Sequence, residues 1–251
     1  MVLRGKSGRN RAPGSGGLLA LAALAVASAG LAEVTAIRLA ERETLASTEL
    51  APAGNVAAPS HRLDLAVVHF ADGPWPRAEV LGLTAAAAAL LAPCGVWLGR
   101  VERLRVAAPE RFHYLHTPES RALAQALRPP RPTLYFVTDT RQQPAFDAEA
   151  IGRGNSRTRP ELRDSVWLTR PARDPALALA HELAHVLLDS GAHVTTPGNL
   201  MRDQTAPGST ALDPAQCAAL RSEGTRNGLL HAARPPPAAP GPESYREGSA
   251  R

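Results

Sequence analysis

The sequence predicts an α+β domain, a mixed twisted sheet with backing helices, and three observations predict it. Short runs rich in branched and aromatic residues, above all Leu63 to Phe70 and Thr133 to Thr138 (TLYFVT), read as strands. Between them, Pro76 to Ala92 and Glu119 to Leu127 read as helices, the first with Val80, Leu83, Ala87 and Leu90 at helical spacing. Residues 174–201, DPALALAHELAHVLLDSGAHVTTPGNLM, then open on an amphipathic helix that carries two histidines on one face. Strand, helix, strand, helix, strand and a returning strand before that last helix form a layer of helices behind a mixed sheet.

Taken in order, the chain begins with Arg4, Lys6, Arg9 and Arg11 and no acid, followed by the apolar run Gly17 to Ala32 with a small-x-small site at Ala27-Ser28-Ala29. Residues 1–32 therefore read as a signal peptide or an uncleaved membrane anchor, and both place the body outside the cytoplasm, in a periplasm or secreted. Those four residues account for most of the net charge of +5, since the remainder holds 24 basic against 23 acidic residues. A near-neutral body argues against nucleic acid as a partner, and a membrane is a partner only if the leader is retained. Nothing in the sequence speaks to oligomeric state.

Residues 33–61, rich in Ala, Glu, Thr and Pro, read as a linker with a short helix near Ala36 to Leu45. A single domain spans 62–230, an ordinary size for one core. The proline-rich stretch 231–251 reads as a disordered tail.

Within the domain, Asp72-Gly73-Pro74 closes the first strand and Pro93-Cys94-Gly95 ends the first helix. Val96 to Val106 reads as a second strand, and Asp164 to Thr169 (DSVWLT) as the strand that leads into the histidine helix. Gly152-Arg153-Gly154-Asn155-Ser156 lacks the lysine and setting of a phosphate loop and reads as a surface loop. A last helix starts at Asp213-Pro214 and carries Cys217 and Leu220. Cys94 and Cys217 are the only cysteines; in an exported chain they form a disulfide or else two buried thiols, and their spacing excludes a zinc ribbon. His113 and His116 read as exposed polar residues, His61 and His69 earn no role, and Trp75, Trp97 and Trp167 read as packing.

The chemistry concentrates at His181-Glu182-Leu183-Ala184-His185. Two imidazoles one helical turn apart can share a metal ion, while Glu182, about 100° round the helix, reaches a metal-activated water without being a ligand. Asp174-Pro175 reads as the helix start, with Asp174 as the N-cap acceptor, and Leu179, Leu183 and Val186 as the buried stripe. A reversal is expected at Ser190-Gly191, just before His193. A catalytic zinc takes three protein ligands and keeps one position open, so His193 is the expected third ligand and Asp189, a carboxylate one turn beyond His185, its rival.

With its H-E-x-x-H helix, glycine turn, third histidine and the methionine-containing turn Pro197-Gly198-Asn199-Leu200-Met201, this stretch resembles the metzincin zinc metalloproteases. The resemblance implies zinc ligands His181, His185 and His193, Glu182 as general base, and Met201 as the hydrophobic floor of the site. It also implies a zincin-like catalytic domain whose edge strand, here between Phe146 and Leu168, pairs with an extended peptide or protein substrate. The spacing departs from the family: its glycine and third histidine follow the second histidine by three and six residues, whereas here the gaps are six and eight. The family's tyrosine after the methionine is replaced by Arg202 and Asp203, which leaves the transition-state stabiliser unassigned. Two functions are compatible with these residues: an exported zinc-dependent hydrolase, foremost a metallopeptidase, and a non-catalytic exported binding or scaffold protein of the same fold. Glu182 separates them, because a purely structural zinc site needs no carboxylate beside its histidines.

Overall fold

The computed structural model describes residues 36–46, 50, 59–141, 150–153, 160–203 and 206–232. The leader 1–32, residues 33–35, 47–49 and 51–58 of the linker, the start of the expected cleft border at Phe146, residues 154–156 and the tail from 233 lie outside the described residues.

Seven strands form one sheet in the order β1-β3-β2-β5-β8-β7, with β9 also on β2. Their ranges are β1 (Arg38–Ala46), β2 (His61–Phe70), β3 (Val96–Ala107), β5 (Thr133–Val137), β7 (Ala150–Arg153), β8 (Ser165–Thr169) and β9 (Leu230–Ala232). The four central strands run parallel, while β1, β7 and β9 are antiparallel to their neighbours, so the sheet is mixed as expected. A second, two-stranded parallel pair joins β4 (Tyr114–Leu115) to β6 (Asp139–Thr140). One edge of β2 is shared, with β9 along His61–Leu63 and β5 along Ala66–His69. The last described strand thus returns to the first strand of the parallel core, and the ordered fold reaches Ala232.

Four α-helices occur among the described residues: α1 (Arg77–Leu91), α2 (Thr117–Leu127), α3 (Pro175–Leu188) and α4 (Pro214–Arg226). The step from β2 to β3 runs one way along the sheet and the step from β3 to β5 runs the other. A constant crossover hand then puts α1 and α2 on opposite faces. Apolar residues of α1, α3 and α4 share one core with Leu65, Val67, Phe136 and Leu168, while Leu123 of α2 packs on the other face with Val68, Tyr135 and Trp167. The helices therefore cover both faces instead of backing only one. Tyr135 and Trp167 stack with ring centres 3.9 Å apart, and Trp75 donates its indole N–H to the Val137 carbonyl at 2.7 Å.

The short helix expected near Ala36 to Leu45 is instead the edge strand β1. Only Glu43, half-buried, and Leu45, buried, leave solvent along it, and one of the two is an acid, so no period-two apolar signal marks the strand. The Glu41 and Glu43 carboxylates pair with the guanidinium of Arg103, which is 0 % exposed. Arg103 also donates to His69 Nε2 at 2.9 Å, and the other ring nitrogen of His69 donates to the Trp75 carbonyl at 3.1 Å. Hydrogen bonds from Arg77 and then Arg103 hold the Glu43 carboxyl down at about 2. His69 thus belongs to a buried network, and His113 is likewise buried, 4.1 Å from the Phe70 ring, not exposed as expected.

Gly95 ends the turn after α1 in the left-handed region, φ 75°, where an L side chain would be strained. Beside it, Cys94 is disulfide-bonded to Cys217 of α4 across 123 residues of sequence, which decides between the bridge and the free thiols. Arg221 adds a hydrogen bond from α4 to the Cys94 carbonyl at 2.8 Å. In the chain-entropy picture a loop of this length contributes about 4–5 kcal/mol. The Cys94→Ser/Cys217→Ser double variant should therefore lose about 4 kcal/mol of unfolding free energy in guanidinium titration. An unchanged midpoint and slope would show that the bridge does not support the fold.

Candidate metal centre

β8 is fully buried and delivers the chain through a short loop to α3, whose Leu179, Leu183 and Val186 are buried against the sheet as the stripe predicted. Pro175 takes the first helical position, where its missing N–H costs nothing, but the Asp174 side chain makes no capping bond. The helix ends at Leu188, with Asp189 as its cap at φ 49°, two residues before the expected glycine. Aspartate is among the few non-glycine residues that tolerate this conformation. By turning there the chain brings the Ser190 carbonyl to 2.6 Å from His185 Nδ1.

His181 is oriented in the same way from a different segment: its Nδ1 is 2.6 Å from the Leu200 carbonyl. A carbonyl only accepts, so each Nδ1 carries the proton and each neutral ring turns a bare Nε2 outward. The Nε2 atoms of His181, His185 and His193 converge, at 3.0 Å between His181 and His185, 3.1 Å between His185 and His193, and 3.3 Å between His193 and His181. Three nitrogens about 2.0–2.1 Å from one zinc in tetrahedral geometry would sit about 3.3 Å apart, so the donors fit such an ion. Bare lone pairs at this separation repel one another, and a cation between them removes the repulsion. Burial pushes the His185 ring down to about 4 and lowers His181 as well, so both are neutral at pH 7, the form that binds metal.

Of the residues singled out by sequence, the structure brings together His181, His185 and His193, the three-ligand cluster among the described residues. Asp189, at the exposed helix cap, is not part of it. Glu182 is half-buried on the same helix turn as the two histidines. Met201 is buried in the turn that follows, and its carbonyl accepts from Val194 N at 2.9 Å, tying the residue after His193 to that turn. Gly198, at φ 77°, opens the turn.

Sequence reasoning missed several supporting groups. The carbonyls of Ser190 and Leu200 carry no side-chain signature. Asp203, whose carboxylate is 3.4 Å from His193 Nδ1, was visible only as a departure from the family pattern. Asn199 accepts from Met201 N at 2.8 Å, a local turn bond that the residue type permits.

His193→Ala should lower zinc affinity by orders of magnitude in a chelator competition, whereas Asp189→Asn should change it by less than about tenfold, the low end for an outer partner. The reverse ranking would make the ligand set two histidines and a carboxylate.

No protein-family model matches the sequence, and no curated protein matches it either.

Proposed function

We propose that this chain is an exported zinc-dependent hydrolase, foremost a metallopeptidase of metzincin-like design. The observation that carries the reading is the convergence of three imidazole Nε2 atoms on one point, two of them from an H-E-x-x-H helix. Three protein ligands leave a fourth position for reactants, whereas structural zinc sites are usually closed by four. The soft-to-borderline imidazole set suits zinc among the divalent ions, and it disfavours calcium and magnesium, which take oxygen ligands.

When bound, zinc supplies Lewis acidity, polarising a carbonyl and lowering the pKa of a water to about 7. His181, His185 and His193 hold their lone pairs in place for it, two of them fixed by carbonyls. Glu182 takes the proton from the attacking water and delivers it to the departing amine nitrogen, which leaves as the C–N bond breaks. Met201 and Leu200 give the site a dry floor.

An extended peptide is the substrate shape that the surroundings favour. β7 lies against α3 and pairs only with β8 among the described residues, so its other edge offers backbone groups for strand addition. The Cys94–Cys217 disulfide is compatible with an oxidising compartment, which agrees with the leader-like residues 1–32.

Glu182→Gln should keep about one zinc per chain by metal analysis while lowering peptide hydrolysis by about 10²–10⁴-fold, the usual contribution of a positioned base. Near-normal turnover in that variant removes Glu182 from the mechanism, and unmodified protein that binds no zinc removes the whole reading.

A further inference from the structure

We propose that Gln216, on α4 and outside the ligand set, is a positioning residue for the metal centre that acts through Asn199 and the Leu200 carbonyl on His181. The inference rests on reading the three histidines as metal ligands, and it does not require that the site hydrolyse anything.

The path is a run of short contacts. The His181 ring is oriented by one acceptor, the Leu200 carbonyl at 2.6 Å. Leu200 lies in the turn between Asn199 and Met201, and the turn's shape is set from inside by the bond from Met201 N to Asn199 Oδ1 at 2.8 Å. That bond exists only if the Asn199 amide faces the right way. With its oxygen and nitrogen exchanged, an NH₂ would meet the Met201 N–H and the buried amide would lose a partner.

Gln216 decides the orientation. Asn199 Nδ2 donates to Gln216 Oε1 at 2.7 Å, and Gln216 Nε2 donates back to Asn199 Oδ1 at 3.3 Å. Asn199 is 6 % exposed, so solvent does not easily replace that pairing. Gln216 is itself held, because its Oε1 also accepts from Asp213 N at 2.9 Å and its backbone N donates to Asp213 Oδ1 at 2.8 Å, the reciprocal capping box of α4. One carbonyl oxygen thus uses both lone pairs, one on the helix cap and one on the metal turn. Capping alone would need only the first.

The test separates these two duties on the purified full chain, with zinc affinity read by chelator competition and the ligand field read from the visible spectrum of the cobalt(II)-loaded protein. Gln216→Ala should weaken zinc binding by about 10–100-fold, the range for outer-sphere partners, and shift the cobalt spectrum. Gln216→Glu keeps an acceptor for both Asp213 N and Asn199 Nδ2 but sets a second acceptor against Asn199 Oδ1 where the Nε2 donor was, so it should recover both readouts only in part. Asp213→Ala removes the cap's side-chain acceptor but leaves the amide pair, so it should lower thermal stability with little change in affinity. Unchanged affinity and spectrum in Gln216→Ala, or an equal loss in Asp213→Ala, would overturn the coupling and leave Gln216 a capping residue. Those outcomes spare the metal site itself, whereas an unmodified chain that binds neither ion removes the site and the coupling together.

Discussion

Everything at the metal centre depends on which nitrogen of each histidine carries the proton. Two backbone carbonyls, from Ser190 and Leu200, settle this for His185 and His181 by accepting from Nδ1. The bare Nε2 atoms are thereby committed to one point before any ion arrives. Burial reinforces the choice by disfavouring the charged forms of His181 and His185, so at neutral pH these two rings present lone pairs and not positive charge. A carbonyl orients a ring without adding a charge of its own.

Those two carbonyls belong to segments on either side of His193, and the fold serves to hold them still. α3 is anchored by its apolar back on the sheet, which fixes His181 and His185 relative to the core. The turn at Gly198–Met201 is pinned by Leu200 N to the Ala211 carbonyl at 2.7 Å and by Ala211 N to the Gly198 carbonyl at 3.1 Å. α4 follows directly and is fastened to the end of α1 by the disulfide. The loop that must be most accurate is therefore braced by elements distant in sequence, in a chain with one large core on that face of the sheet.

Much of this could be read from the sequence because its signals were local. The apolar face of α3, the strand TLYFVT and the Asp213-Pro214 helix start all follow from patterns within a few residues, and the structure reproduces them. What escaped was set by partners far away. β1 hides its period-two pattern because it is mostly exposed and carries acids at Glu41 and Glu43, which are met by the buried Arg103 some sixty residues on. His113 reads as exposed in the sequence because nothing nearby signals that Phe70 packs on it. The sequence puts the reversal after α3 at Ser190-Gly191 because glycine is the commoner left-handed cap, whereas the helix runs to Leu188 and Asp189 takes that conformation at once.

That earlier cap also bears on the departure from metzincin spacing. In the family a glycine three residues past the second histidine makes the turn; here the residue at that position, Leu188, is still helical, so α3 runs past the point where the family would reverse. The longer helix would carry the chain away from His181 and His185 if the return were equally short. Four residues, 189–192, lie between the helix and His193, and they begin with a left-handed cap that folds the backbone under His185. His193 comes back from a wider loop, and the Val194–Met201 hydrogen bond sets where that loop lands. The wider loop offsets the longer helix, so His193 reaches the Nε2 atoms of His181 and His185 across eight residues of sequence from the latter.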